Sequence, residues 1–214
     1  MPLRPFRRDQ NGGVLAEVSI LIPIIFVFIL GAIDFLFAFF QWNAAAKAVE
    51  IGARIAAVSD PVATNLANIS SALPLGTQWP TSDTFTIKCD GSTSSCTCTG
   101  TCTGWTAGYN STAMSLIIFG RDGNGLCGDA ASYYYAGMCD IFGRINSANY
   151  VVVTYTQTGL GYAGRPTPVP TITVSLQNLP FHFFFLSGLL GFANINIPAQ
   201  ATTITGEALS SLAP

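Results

Sequence analysis

The chain predicts an α+β fold, with a long N-terminal membrane-spanning helix followed by an antiparallel β-sheet domain that carries disulfide-bonded loops. Three features predict it. An apolar stretch of membrane length lies near the N-terminus, short β-branched runs fill the later part, and all six cysteines lie beyond residue 88. The expected segments are a leader over 1–12, a transmembrane and amphipathic helix over 13–59, and an extracytoplasmic α+β domain over 60–214.

The helix comes first. Val18 to Ile33 contains no charged side chain, and the apolar character runs past Asp34 to Phe40. A helix crossing a bilayer core needs about 20 mostly apolar residues, and this stretch supplies them. Arg4, Arg7 and Arg8 precede it, and basic residues favour the cytoplasmic side, so the remainder of the chain is expected outside the inner membrane. Pro23 predicts a bend, since proline removes a backbone donor. Beyond Phe40, Ala44, Ala48, Ile51, Ile55 and Val58 form an apolar stripe, while Lys47, Glu50 and Arg54 share an exposed face and can pair. Ser59-Asp60-Pro61 ends the helix.

Two acids mark the apolar segment. Glu17 and Asp34 are 17 residues apart, or roughly 25 Å along a helix, which puts both near the edges of the hydrocarbon layer. An acid held well inside would cost roughly 2.5–3.5 kcal/mol and needs a partner. Glu17 has two readings. It is an interfacial acid reaching back to water, or a subunit contact: a cut after Gly12 would leave it fifth from a new amino terminus, whose ammonium suits a neighbouring carboxylate.

The later chain reads mainly as β. A short helix is expected from Val62 to Leu73, then strands at Thr84–Lys88, Ala113–Phe119, Tyr150–Gln157, Thr171–Leu176 and Ala199–Thr205. Four or five of these form an antiparallel sheet, because few crossover helices are visible. Asp90–Asn110 and Gly120–Asn149 read as loops, and Gly159–Pro170 as a turn-rich connector. Cys89, Cys96, Cys98, Cys102, Cys127 and Cys139 are an even set on the exported side, which argues for disulfides. The preferred connectivity joins Cys127 to Cys139 and lets the other four close the 89–102 loop. A metal site is not expected, since zinc favours CxxC pairs or histidines, whereas the chain has CxC and the single histidine His182.

Leu179–Ala193 is short for a second span and is interrupted by Pro180, Gly188 and Gly191. Its Phe181, Phe183, Phe184, Phe185, Leu189 and Leu190 are candidates for a surface that meets membrane or a partner, with coverage of the sheet as the competing reading. His182 is most simply a packed or interfacial histidine. No hydrolase, zinc-protease, phosphate-loop or dinucleotide motif is present. Asp122, Asn124 and Asp129 depart from a calcium loop at Leu126 and Cys127, and no cofactor is expected. The Asn68 and Asn110 glycosylation-type triplets carry little weight. With charged residues at 9% and net charge −2, nothing forms a basic nucleic-acid surface.

Several of these residues together resemble one family. The basic leader, the glycine and small apolar stretch before Glu17, Pro23, Gly31-Ala32-Ile33-Asp34-Phe35 and Ala46–Val58 are similar to the TadE family, pilin-like proteins of tight-adherence (Flp-type) pilus systems in bacteria. The resemblance covers residues 7–60 and returns faintly over Asn196–Leu209, with Glu207 at the place of the family's closing acid; 61–195 carries no matching motif. It implies a pilin-like fold and removal of the leader by a prepilin peptidase. Gly13 follows Gly12, so the cut is open between the two sides of Gly13. Asp34 stands where the family more often has Glu.

The expected function is a non-enzymatic, membrane-anchored pilin-like subunit for pilus assembly. Its implied partners are inner-membrane lipid, other pilin-like subunits, the assembly machinery and the prepilin peptidase, with a minor or priming role and incorporation into a surface pilus. Two other classes stay open. Ala44-Ala45-Ala46 fits a signal-peptidase pattern that would release 47–214 as a secreted disulfide-rich binding domain, although the apolar segment exceeds a signal h-region. A periplasmic enzyme would need a catalytic constellation that the sequence does not display.

Overall fold

The computed structural model describes residues 11–70, 76–80, 82, 84–121, 125–128, 136–157, 159, 169–181, 183–185, 195–196 and 198–206. These fall into two compact units, one holding the described residues up to Phe40 and within Phe181–Ile195, the other holding those within Gln41–Pro180 and from Asn196 onward.

The first unit is dominated by the N-terminal part of helix α1 (Asn11–Ala57), which is 47 residues long and continues through Pro23. From Gly13 to Phe28 every residue is exposed, including Leu15, Ile20, Phe26 and Phe28. Such a surface has no water-facing side and no protein cover, as expected of a helix that lies in lipid.

The second unit is built on a five-stranded antiparallel sheet in the order β2-β1-β3-β4-β7. Its strands are β1 (Phe85–Asp90), β2 (Ser95–Gly100), β3 (Val151–Thr156), β4 (Thr171–Leu176) and β7 (Ala201–Thr205). Two-residue strands β5 (Pro180–Phe181) and β6 (Ile195–Asn196) make a separate pair. Strand alternation sets the inner face: Phe85, Ile87 and Cys89 of β1, Val151, Val153 and Tyr155 of β3, and Ile172, Val174 and Leu176 of β4 are buried. The opposite positions, such as Thr86, Lys88, Thr154 and Thr173, are polar, with Lys88 exposed and the threonines half-buried.

The last four turns of α1 supply small side chains to the same core. Ala45, Ala48, Val49, Ala53, Ala56 and Ala57 are buried, and they join one cluster with the inner face of the sheet. The cluster also takes Ala113, Met114, Ile117 and Ile118 from helix α2 (Ser111–Phe119) and Met138 from helix α3 (Met138–Ile141).

Four expectations are corrected. Residues 113–119 are helical, because the Asn110 side chain accepts the Ala113 N–H at 3.1 Å and caps the first turn. Their buried positions then fall at helical spacing, and Gly120 ends the helix at φ 85°, a conformation glycine adopts freely. The Val62–Leu73 helix shortens to a 3-10 turn at Leu66–Ser70, preceded by Asn65 at φ 60°; Leu73 lies outside the described residues. Part of the Asp90–Asn110 loop is strand β2, paired with β1 over six positions from Phe85↔Gly100 to Asp90↔Ser95. The apolar stripe of α1 is offset. Ala48 is buried, but Ala44, Ile51 and Ile55 are half-buried and Val58 is exposed, because the small residues beside them permit closer packing. The strands expected at Thr84, Tyr150, Thr171 and Ala199 form within two residues of their predicted limits.

Candidate functional site

Among the described residues, one helix is long and apolar enough to cross a membrane, and that helix is α1. Glu17 is exposed on it. Gly12 and Gly13 lie within its first turn, and a Cβ placed at Gly13 would touch nothing. Asp34 behaves differently, with a relative exposure of 1% in the middle of exposed apolar neighbours. Its Oδ1 accepts the Phe184 N–H at 3.1 Å and its Oδ2 accepts the Phe185 N–H at 2.9 Å. The rings of Phe37 and Phe184 lie 4.9 Å apart and tilted by 60°, which adds a side-chain contact to the two backbone bonds.

The phenylalanine-rich stretch divides. Leu179 belongs to the core and Phe181 is buried. Phe183 meets Phe181 edge to face at 4.7 Å. Phe184 and Phe185 remain 65% and 42% exposed. Leu189, Leu190 and His182 lie outside the described residues, as do Glu207 and the acids Asp122 and Asp129 of the considered calcium loop. No group of three metal-binding side chains occurs among the described residues.

On the second unit, α1 presents a charged edge and a groove. Glu50 bonds Lys47 at 2.8 Å and Arg54 at 2.5 Å, the pairing expected from their spacing. Ile51, Ile55, Val58 and Ile141 floor a groove of about 600 Å³ rimmed by Lys47, Arg54 and Arg121. Arg121 donates to the Ser59 hydroxyl at 3.2 Å.

The six cysteines pair as Cys89–Cys96, Cys98–Cys102 and Cys127–Cys139. The last bridge and the closure of the 89–102 segment follow the expected connectivity. Cys89 and Cys96 are cross-strand partners in the β1–β2 register. The bridged sulfurs of Cys96 and Cys98 lie on one side of β2, because residues two apart on a strand share a side; Cys96 is buried and Cys98 half-buried.

Three polar anchors were not signalled by any motif. The Tyr155 hydroxyl, fully buried, accepts the Val62 N–H at 2.8 Å, and burial pushes its pKa well up. Arg144 donates to Gln41 and to the Pro180 carbonyl, each at 3.1 Å. Asp90 accepts from the Ser92 N–H at 2.8 Å and from Gln177 at 2.7 Å. Burial alone would raise the Asp90 carboxyl, but the bonds from Ser92 and Gln177, with Lys88 nearby, hold it below the ordinary value.

The helix that carries Glu17, Asp34 and the Lys47–Glu50–Arg54 edge also carries the likeness to known proteins. Residues 12–54 match the family model described as TadE-like protein. The matched segment runs through the exposed apolar part of α1 and into the packed face that holds Ala45, Ala48 and Ala53. No curated protein and no solved structure matches the chain.

Proposed function

We propose that the chain is a non-enzymatic, membrane-anchored pilin-like subunit that takes part in assembling a tight-adherence pilus. The observation that carries this reading is the TadE-like helix itself, an exposed apolar rod that continues into the alanine face of a disulfide-bonded head. A prepilin peptidase removes the leader on one side or the other of Gly13. The helix then stores the subunit in the inner membrane with its head in the periplasm, an orientation supported by the basic leader and by cysteines that are all paired. On assembly, apolar helix faces exchange lipid for one another, and Glu17 meets the amino terminus of a neighbouring subunit.

Release of a soluble 47–214 fragment is disfavoured, because Ala45 and Ala48, on either side of that cut, are both buried in the core. N-terminal sequencing of the mature protein tests the reading. Gly13 or Val14 at the start supports it, whereas Lys47 at the start overturns it. Glu17→Ala should insert into membranes normally yet lose its place in pilus fractions, and undiminished co-purification would count against the assembly role.

A further inference from the structure

Asp34 and the backbone at Phe184–Phe185 solve the same problem from two sides. Asp34 sits inside an exposed apolar run: Phe28, Ile29 and Ile33 precede it, and Phe35, Leu36, Phe39 and Phe40 follow it, all exposed. Counted along the helix, about 9 Å of further apolar surface lies beyond Asp34 before Phe40 ends it. A carboxylate at such a position requires donors supplied by protein. Irregular backbone in hydrocarbon has the converse need, since its N–H groups find no water there.

Phe183, Phe184 and Phe185 adopt no regular helix or strand. The Phe184 and Phe185 N–H groups close on the two oxygens of Asp34. Phe184 packs its ring on Phe37, yet Phe184 and Phe185 stay 65% and 42% exposed, and Phe35 and Leu36 on α1 are exposed as well. A water-facing loop gains nothing from this arrangement, whereas a loop immersed beside its own membrane helix gains both satisfied polar groups and lipid-facing rings.

We propose that Phe183–Phe185 is a second membrane-embedded element, clasped to the spanning helix by the Asp34 carboxylate, with Phe184 and Phe185 in contact with lipid acyl chains. The occupant of this surface is hydrocarbon, argued from its continuity with the lipid-exposed face of α1. The inference rests on the membrane-anchor reading, and its test separates the two. The clasp also gives the chain a fixed membrane depth for residues far apart in sequence, independent of any pilus role.

The photo-reactive residue p-benzoylphenylalanine replaces Phe184 or, as a reference, Phe28, in the full oxidised chain. Each protein is reconstituted into phosphatidylethanolamine–phosphatidylglycerol vesicles and illuminated, and adducts are identified by mass. Lipid adducts from position 184 at a yield comparable to position 28 are expected. In Asp34→Ala the yield at 184 should fall about tenfold, the loss expected from removing two charge-assisted bonds, while position 28 is unchanged. Asp34→Asn, which keeps one acceptor oxygen, should fall between. Adducts from 184 to a second copy of the chain overturn the proposal in favour of a subunit face, and the absence of adducts at 184 with lipid adducts at 28 overturns it in favour of a water-facing loop. An unchanged yield at 184 in Asp34→Ala overturns the clasp. Absence of lipid adducts at position 28 overturns the anchor reading itself.

Discussion

Tyr155→Phe removes one oxygen from the centre of the head and should be felt far beyond its size. The hydroxyl sits on β3, and its oxygen accepts the N–H of Val62, 93 residues away in sequence. Both residues have 0% relative exposure, so no water replaces the lost acceptor. The ring stays and its packing is kept, which leaves the buried Val62 N–H as the main change. An unsatisfied buried donor costs about 1–3 kcal/mol, and a central value of about 2 kcal/mol corresponds to a Tm lower by about 4–8 °C for a domain of this size. Thermal unfolding of the full chain in detergent micelles, followed by near-ultraviolet circular dichroism, measures it.

A second readout separates the hydroxyl from a packing defect. Burial raises the folded-state pKa of Tyr155 above that of an unfolded tyrosine. Its contribution is therefore complete below a pH of about 10 and declines as the pH rises beyond that, because the unfolded chain releases the phenolic proton more readily. The stability gap between the native chain and Y155F should narrow through the alkaline range. If Y155F melts with the native chain, or if the gap stays constant as the phenol titrates, the assigned role of this hydrogen bond is refuted.

Three further outcomes are expected. Replacing Cys127 and Cys139 together by serine opens a loop of 12-residue separation and should lower stability by about 3 kcal/mol, read by urea unfolding in micelles. Gly137→Ala drives a Cβ into the backbone of Ile118, Phe119 and Gly120, so it should cost about 1–3 kcal/mol and lower Tm, since overpacking against backbone has no side chain to yield. Asp90 has its folded-state pKa held down, so its stabilising effect is present above the unfolded carboxylate value of about 3.9 and is lost as acid protonates it. Acid unfolding of Asp90→Asn should accordingly lack part of the low-pH decline seen in the native chain.

The legible parts of the sequence were those in which one physical rule had no competitor. A long uncharged apolar run has few stable homes besides lipid, so α1 could be read from composition and length. Thr171–Leu176 alternates without interruption and forms β4 at the same limits. Ala113–Phe119 failed because AMSLIIF satisfies both periods at once: its buried Ala113, Met114, Ile117 and Ile118 make a helical face that the β-branched content obscures. The deciding signal was one residue outside the run, the capping Asn110. The Ser, Thr and Gly neighbours of Cys96-Thr97-Cys98 favour a loop, yet CxC is a period-two pattern. Cys89 and Cys96 bridge facing strand positions, so the spacing of these thiols carried strand information that composition masked.

The offset stripe on α1 joins fold and proposed function. Periodicity selects Ala44, Ala48, Ile51, Ile55 and Val58, yet of these only Ala48 is fully buried, and the core takes it together with Ala45, Val49, Ala53, Ala56 and Ala57. Small residues bury less area each but let backbones approach closely, and Gly52 shows how closely: a Cβ there would lie 2.7 Å from Met138 Cγ. In the second unit the helix thus turns mainly small residues to the core, while Ile51 and Ile55 line the groove and Ile55 also packs on the core edge; in the first unit Phe28, Phe35 and Phe39 are exposed. A helix needed only as an anchor would gain stability by burying the larger side chains next to the head. Keeping them available is the arrangement expected of a helix that must exchange lipid for neighbouring helices while its head stays folded. Ile55→Ser should lower the Tm of the isolated subunit by only a few degrees, because the side chain is half-buried at the edge of the core. It should nevertheless reduce recovery in assembled pilus fractions, and a large fall in Tm with normal assembly would show that the groove serves the head alone.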